Sequence, residues 1–150
     1  QHQSAWDTII LPYLIGDCII FHKRSLLFIP LFGWHLFKLG MVIITRNKGA
    51  NNLRKIISKT KEAIRKNRSI LIFPHGTRTL PDSINKIQSG VVILYKRLNI
   101  KVIPVKLNSG KYWGRNKFLK YPGKITVNFL KPIYPGLNPG EFRKKLKKIL

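Results

Sequence analysis

Acidic residues are the scarcest charged groups in this chain. Five Asp and Glu stand against 29 Lys and Arg, which leaves a formal net charge of +24 over 150 residues. Such a field attracts polyanions and opposes self-association, so it points to nucleic acid, an anionic membrane or an acidic protein or ligand as partner. Cysteine is nearly absent as well. With Cys18 alone, an internal disulfide framework and a cysteine-rich zinc site are both excluded. Long apolar runs are missing too. The longest uncharged stretch, between Arg24 and Lys38, has 13 residues and contains Pro30 and Gly33, whereas a membrane-spanning helix needs roughly 20. Any work at a membrane is therefore read as work from its surface. There is also no internal repeat, low-complexity tract or Ser/Gly linker, and residues 1–150 read as one domain. The start at Gln1 and an end inside a promising helix suggest a domain trimmed at the N-terminus and at the C-terminus.

What is present is an ordinary globular balance, 44% hydrophobic and 23% charged, enough to fill one core. Short runs rich in branched residues recur at Cys18–Phe21, Val42–Thr45, Ile70–Phe73, Val102–Val105 and Ile125–Leu130. They are continuous more than alternating, as in strands buried on both faces. Helical patterns lie between them. Residues Asn51 to Asn67 put Leu53, Ile56, Ile57, Ala63 and Ile64 on one stripe and Lys55, Lys59, Lys61, Arg65 and Lys66 on the other. Gly90 to Arg97 is a second candidate. A third starts near Glu141, with Phe142, Leu146, Ile149 and Leu150 as its apolar side. Strands alternating with helices predict an α/β domain with a mostly parallel or mixed central sheet, with ligands bound beyond the carboxyl ends of the strands.

Three constellations carry candidate chemistry. His2 and Asp7 are five positions apart. On one helix they would point about 140° apart at about 100° per residue, but they meet if His2 occupies the turn before a helix and Asp7 its first turn. A carboxylate on one imidazole nitrogen fixes the tautomer and frees the other nitrogen to take a proton from a hydroxyl. The competing reading is a capping box, Ser4-Ala-Trp-Asp7, in which Asp7 merely caps. Phe73-Pro-His-Gly-Thr-Arg78 follows the best strand. There Pro74 stops the ladder, Gly76 permits close backbone approach, and Thr77 and Arg78 offer a hydroxyl and a bidentate fork for a phosphate or carboxylate. Alternatively it is a strand-ending turn with a solvated Arg. Arg46, closing Gly40-Met-Val-Ile-Ile-Thr-Arg46, is a second cation at a strand end.

In order and spacing these elements resemble the motifs of the 1-acylglycerol-3-phosphate O-acyltransferase (lysophosphatidic acid acyltransferase) family, alphaproteobacterial in type. The family's H-x4-D box looks like His2 to Asp7, its Gly-strand-Arg motif like Gly40 to Arg46, its F-P-E-G-T-R-S motif like Phe73 to Thr79, and its Pro-containing strand like Val102 to Val105. Ile29 to Trp34, Leu107 to Gly110, Trp113 to Arg115 and Tyr121 to Gly123 add to the likeness.

The resemblance implies a mechanism. His2 takes the proton of the 2-hydroxyl of a lysophosphatidic acid, Asp7 orients His2, and the oxygen attacks the thioester of acyl-CoA or an acyl-acyl carrier protein, giving phosphatidic acid. Arg46, Gly76, Thr77 and Arg78 hold the glycerol phosphate. No cofactor or metal is implied beyond the acyl donor as co-substrate. The implied partners are the lysophospholipid, the acyl thioester and an anionic membrane surface at the cytoplasmic face of the cell membrane. His75 departs from the pattern, standing where the family has Glu, and its role is open. A different glycerolipid acceptor, an inactive homologue and a basic nucleic-acid-binding module are the rivals. Against the last there is no helix-turn-helix, zinc-finger or RNA-recognition signature.

Among the smaller signals, His22 and His35 sit in apolar sequence and read as structural. Phe32, Trp34 and Phe37 read as core, although Leu26 to Phe37, flanked by Lys23, Arg24 and Lys38, also has the makings of an interfacial segment.

Overall fold

The computed structural model describes residues 2–44, 49–80, 86–115 and 117–150. It divides into two compact units, Pro12–Ile72, and Gln1–Leu11 with Phe73–Leu150.

The Pro12–Ile72 unit is built on a parallel three-stranded sheet. Strand β1 (Cys18–Lys23) lies between β2 (Val42–Ile44) and β3 (Ser69–Leu71), with Phe21 opposite Val42 and Ile19 opposite Ile70. Cys18, Ile19, Phe21, Val42 and Leu71 are buried, in keeping with continuous apolar strand sequences. A 3₁₀ turn (Arg24–Phe28) and helix α2 (Phe32–Lys38) connect β1 to β2. Helix α3 (Gly49–Arg65) connects β2 to β3. Its buried stripe is Ile56, Thr60 and Ala63, and its Lys face is exposed as the periodicity predicts. Thr60 is tolerated there because its hydroxyl donates to the Ile56 carbonyl at 2.6 Å. Asn67, at φ 56°, turns the chain out of the helix. Arg68 then fastens the sheet edge, donating to Asp17 at 2.8 Å and to the carbonyls of Leu39 and Cys18. Cys18 is buried among these groups, and burial pushes its thiol pKa up, away from nucleophilic reactivity.

Helix α1 (Ala5–Ile15) starts in the other unit and runs into this one. The remaining elements are α4 (Ser89–Leu98), β4 (Val105–Leu107), the single turn α5 (Ser109–Tyr112), β5 (Val127–Phe129) and α6 (Pro139–Ile149). Strands β4 and β5 pair antiparallel, Val105 opposite Phe129. The core here comprises Ile87, Val92, Tyr95, Ile133, Phe142 and Leu146. Tyr95 and Phe142 stack at 3.8 Å, and the Tyr95 hydroxyl donates to the Tyr134 carbonyl. Helix α6 begins with a full capping box, Asn138 with Glu141, and Pro139 in its first turn.

Some sequence expectations need correction. Val102–Val105 is not a strand along its length. Pro104 cannot donate to a ladder, so Val102 makes only an isolated bridge to Ile133 and the strand starts at Val105. Trp34 and Phe37 are not core residues, being 59% and 75% exposed, and the Phe32 side chain is outside the described residues. His35 is exposed on α2, whereas His22 is buried in β1. Among the described residues, no helix is long and apolar enough to cross a membrane.

Candidate active site

The site is assembled inside the second unit from three separate stretches of chain. Ser4 ends the extended N-terminal segment and Asp7 lies in the first turn of α1. The Ser4 hydroxyl accepts from the Trp6 N–H at 3.2 Å. The Asp7 Oδ2 accepts from the Gln3 and Ser4 N–H groups at 2.7 and 2.9 Å. Asp7 therefore caps the helix, as one sequence reading held. It also does what the other required, because the same Oδ2 lies 3.0 Å from His2 Nδ1. The two readings are one arrangement: closing the turn with the carboxylate brings His2 back over the helix start.

Asp7 is fully buried, and its second oxygen accepts from the Ser109 hydroxyl at 2.5 Å. Burial pushes the carboxyl pKa up, but bonds from His2, Ser109, Ser4 and Gln3 outweigh burial and hold it below the ordinary range. Asp7 is thus an anion at neutral pH. An ionised carboxylate only accepts, so the hydrogen-bond network assigns the proton to His2 Nδ1 and the lone pair of the neutral ring to Nε2.

The Phe73–Thr79 segment holds the histidine from the other side. Phe73 stacks on the His2 ring at 4.0 Å, and Thr79 donates its N–H to the His2 carbonyl at 2.7 Å, with its hydroxyl 3.2 Å away. Gly76 turns the loop at φ 67°, a conformation that favours glycine, and its N–H bonds the Phe73 carbonyl. Gly76 and Thr77 are exposed and Arg78 is partly so. The residues proposed from sequence at the second and third motifs therefore meet different fates. Gly76, Thr77 and Arg78 share a loop that holds His2, while Arg46 lies outside the described residues.

His75, in the position of the family's Glu, is buried. Its Nδ1 lies 3.2 Å from the Lys86 carbonyl, and its own carbonyl accepts from Gln88. Burial lowers the imidazole pKa, and the Lys86 contact offsets only part of that. His75 is thus a neutral brace between the loop and the approach to α4. Among the described residues, no three His, Cys, Asp or Glu side chains come together as metal ligands.

Sequence reasoning missed three contributors. Ser109 reaches Asp7 across 102 positions. Gln3 accepts from the Gly110 N–H at 3.0 Å, so the α5 turn is fastened to the His2–Asp7 segment twice. Arg115 donates to the Arg78 carbonyl at 3.1 Å and adds a second cation beside that loop. The Leu107–Gly110 stretch stood out in the sequence, but nothing local distinguishes Ser109 from any turn serine.

A His–Asp pair at the mouth of a helix in an α/β chain, with a Gly-Thr-Arg loop fastened to it, is an arrangement able to take a proton from a hydroxyl beside a cation. The chain belongs to the Acyltransferase family, whose model matches residues 1–108. It is 34% identical over 127 residues to the 1-acyl-sn-glycerol-3-phosphate acyltransferase of Pseudomonas aeruginosa, covering 85% of this chain and 49% of that protein. The Saccharomyces cerevisiae protein of the same name is 28% identical over 143 residues, covering 89% and 45%. In fold the chain is similar to the crystal structure of the 1-acyl-sn-glycerophosphate acyltransferase PlsC from Thermotoga maritima. That match has a TM-score of 0.79 at 21% identity and covers 99% of this chain and 60% of that one. The chain spans about half the length of the curated relatives it matches.

Proposed function

We propose that residues 1–150 act as one acyltransferase domain that moves a fatty acyl group from acyl-CoA or an acyl-acyl carrier protein to the 2-hydroxyl of a lysophosphatidic acid. The observation that carries this reading is the His2–Asp7 pair, its carboxylate buried, ionised and saturated by four donors. His2 Nε2 takes the hydroxyl proton as the oxygen attacks the thioester carbonyl. The tetrahedral adduct then expels the thiolate, which collects the proton from the imidazolium. The ester bond forms, the thioester bond breaks, and His2 is restored. Asp7 keeps the ring oriented and stabilises its transient positive charge. A thioester is already an activated acyl group, so this route calls on neither cofactor nor metal. Cys18, buried with a raised pKa, is unsuited to an acyl-enzyme.

Arg78, Thr77 and the Gly76 backbone are the proposed phosphate ligands, with Arg46 from the second motif. Arg78 and Arg115 give that loop two cations. The formal charge of +24 suits every implied partner: the phosphorylated acceptor, a donor on CoA or acyl carrier protein, and an anionic membrane. We place the protein peripherally at the cytoplasmic face of the cell membrane.

The test is phosphatidic acid formation from lysophosphatidic acid in mixed micelles, with each donor offered separately. Turnover is expected and should fall at least about 10³-fold in His2→Ala, because both the base and its later proton donation disappear. A His2→Ala variant as active as the unaltered chain would refute the mechanism. Turnover of another lysophospholipid in preference would reassign the acceptor and leave the chemistry standing.

A further inference from the structure

Between β1 and β2 the chain turns an unusual number of apolar side chains outward. Phe28, Leu31, Trp34 and Phe37 are each between 59% and 82% exposed, with Ile29 and Leu39 beside them in sequence also exposed. The backbone explains why they do not fold inward. A Cβ on Gly33 would lie 1.9 Å from the Leu27 carbonyl oxygen, so α2 lies directly on the backbone of the 3₁₀ turn. No layer of side chains fits between the two at that point, and Phe28, Leu31, Trp34 and Phe37 lie outward. Leu31, at the corner, holds φ 64° with its side chain 82% exposed. That conformation is costly for a leucine and gains no burial here.

Charge identifies what this ledge meets. Residues 25–37 contain no Lys, Arg, Asp or Glu, Arg24 and Lys38 close the two ends, and Lys38 Nζ sits 3.8 Å over the Trp34 ring. In residues 12–72, twelve Lys and Arg face only two acids, Asp17 and Glu62. Both acids are occupied, by Arg68 at 2.8 Å and Lys66 at 2.7 Å. Each acid is thus paired with a cation where it would face an anionic surface. A second copy of this chain would bring another +24 and be driven off. Single-stranded nucleic acid would stack on Trp34 or Phe37, but Leu31, Ile29 and Leu39 offer bases no such platform.

We propose that this ledge is a docking surface for an anionic lipid bilayer. Phe28, Leu31, Trp34 and Phe37 enter the boundary between headgroups and acyl chains, and Arg24 and Lys38 remain at the level of the lipid phosphates. The proposal goes beyond the acyl-transfer reading and does not need turnover.

The experiment is co-sedimentation of the full chain with vesicles of phosphatidylcholine containing phosphatidylglycerol, against phosphatidylcholine alone. Leu31→Asn is the informative change, because it removes an apolar side chain that is 82% exposed and opens no cavity. Its thermal midpoint should stay close to that of the unaltered chain, while its vesicle affinity falls severalfold. Leu31→Asn with Phe37→Ser should bind the anionic vesicles at least tenfold more weakly. Arg24→Glu with Lys38→Glu should lose the preference for phosphatidylglycerol. If the double apolar variant binds vesicles as tightly as the unaltered chain, general charge explains the binding and the proposal fails. It also fails if that variant loses single-stranded DNA affinity to the same degree, or if sedimentation velocity shows a lipid-free dimer that the variant dissolves. Vesicle binding through the ledge in a chain that makes no phosphatidic acid would refute the proposed reaction and leave the docking surface intact. Turnover in micelles with no vesicle binding would do the reverse.

Discussion

The corner around Asp7 and the ledge between β1 and β2 invert the usual placement of polar and apolar groups. At the corner a carboxylate is completely buried, and four donors converge on it. On the ledge, aromatic and branched side chains stand in solvent with little more than a lysine over one of them. The difference lies in what each side chain is tied to. The Asp7 carboxylate finds all four of its donors inside the fold, so removing it strands them. The ledge side chains are mostly exposed, so truncating one should cost the fold little. Buried polar groups that satisfy one another belong to chemistry, and exposed apolar groups without partners belong to encounter. Substitutions in the two regions should therefore separate cleanly into those that damage fold and turnover together and those that damage neither.

Asp7→Asn is the hardest test of the corner. The amide has one acceptor oxygen where the carboxylate offered two oxygens to four donors, and its NH₂ donates where the backbone N–H groups or His2 and Ser109 also donate. Turnover should drop about 10³- to 10⁴-fold as His2 loses its orienting anion. Stability should fall by about 3 kcal/mol or more as buried N–H groups lose their acceptor. The pH dependence follows from the lowered Asp7 pKa. A carboxyl depressed on folding stabilises the native state above its unfolded value, near 3.8, and that contribution is lost as pH falls through the folded value. Urea midpoints at pH 7 and pH 3 should thus differ more for the unaltered chain than for Asp7→Asn. Equal differences would mean that Asp7 is not the anion described here.

What the sequence makes legible in these regions follows the same division. The strands and α3 were legible because long periodic or continuous apolar runs leave few alternatives, and the Lys face of α3 followed from its stripe. His2 and Asp7 were legible as a pair because the contact is local, five positions within one turn. Ser109 was not, since its partnership spans 102 positions and depends on how α5 is fastened to the N-terminal segment. The ledge misled in the opposite direction. Trp34 and Phe37 have the composition of a core, yet they stand exposed on a helix that lies against the backbone of the preceding turn at Gly33. Pro104 did show in the sequence, yet its effect on where β4 begins depends on which neighbour the strand finds.

Ser109→Ala sharpens the comparison by removing one donor and leaving three. Ser109 is a positioning residue, acting on His2 only through the far oxygen of Asp7. One hydrogen bond to a charged acceptor contributes roughly 1.5–3 kcal/mol, so unfolding should occur at lower urea. Turnover should fall about tenfold, carried by kcat and not by KM for the acceptor. With one donor fewer, the carboxylate pulls harder on the imidazole proton, and the acid limb of the rate–pH profile should move to higher pH. Ser109→Thr keeps the hydroxyl and should restore that limb. If the alanine variant is less stable but its pH profile does not move, Ser109 is packing for the corner and no more.

The smallest effect belongs to His75, which lies next to the corner without touching the His2–Asp7 pair. Burial lowers its imidazole pKa, so the folded chain holds it neutral where an unfolded chain would bind a proton. The sign follows. Its contribution to stability is complete above the unfolded value near 6.5 and is lost as pH drops from there through the folded value. One such group can set a slope of at most about 1.4 kcal/mol per pH unit. His75→Gln removes that slope while retaining a side chain that can donate to the Lys86 carbonyl. Between pH 7 and pH 5 the unfolding free energy of the unaltered chain should fall more steeply than that of His75→Gln, with turnover at pH 7.5 changed less than threefold. A large loss of turnover at pH 7.5 with the thermal midpoint unmoved would make His75 part of the reacting site instead of a brace behind it. The corner would then extend one residue further along the Phe73–Thr79 loop than its hydrogen bonds indicate.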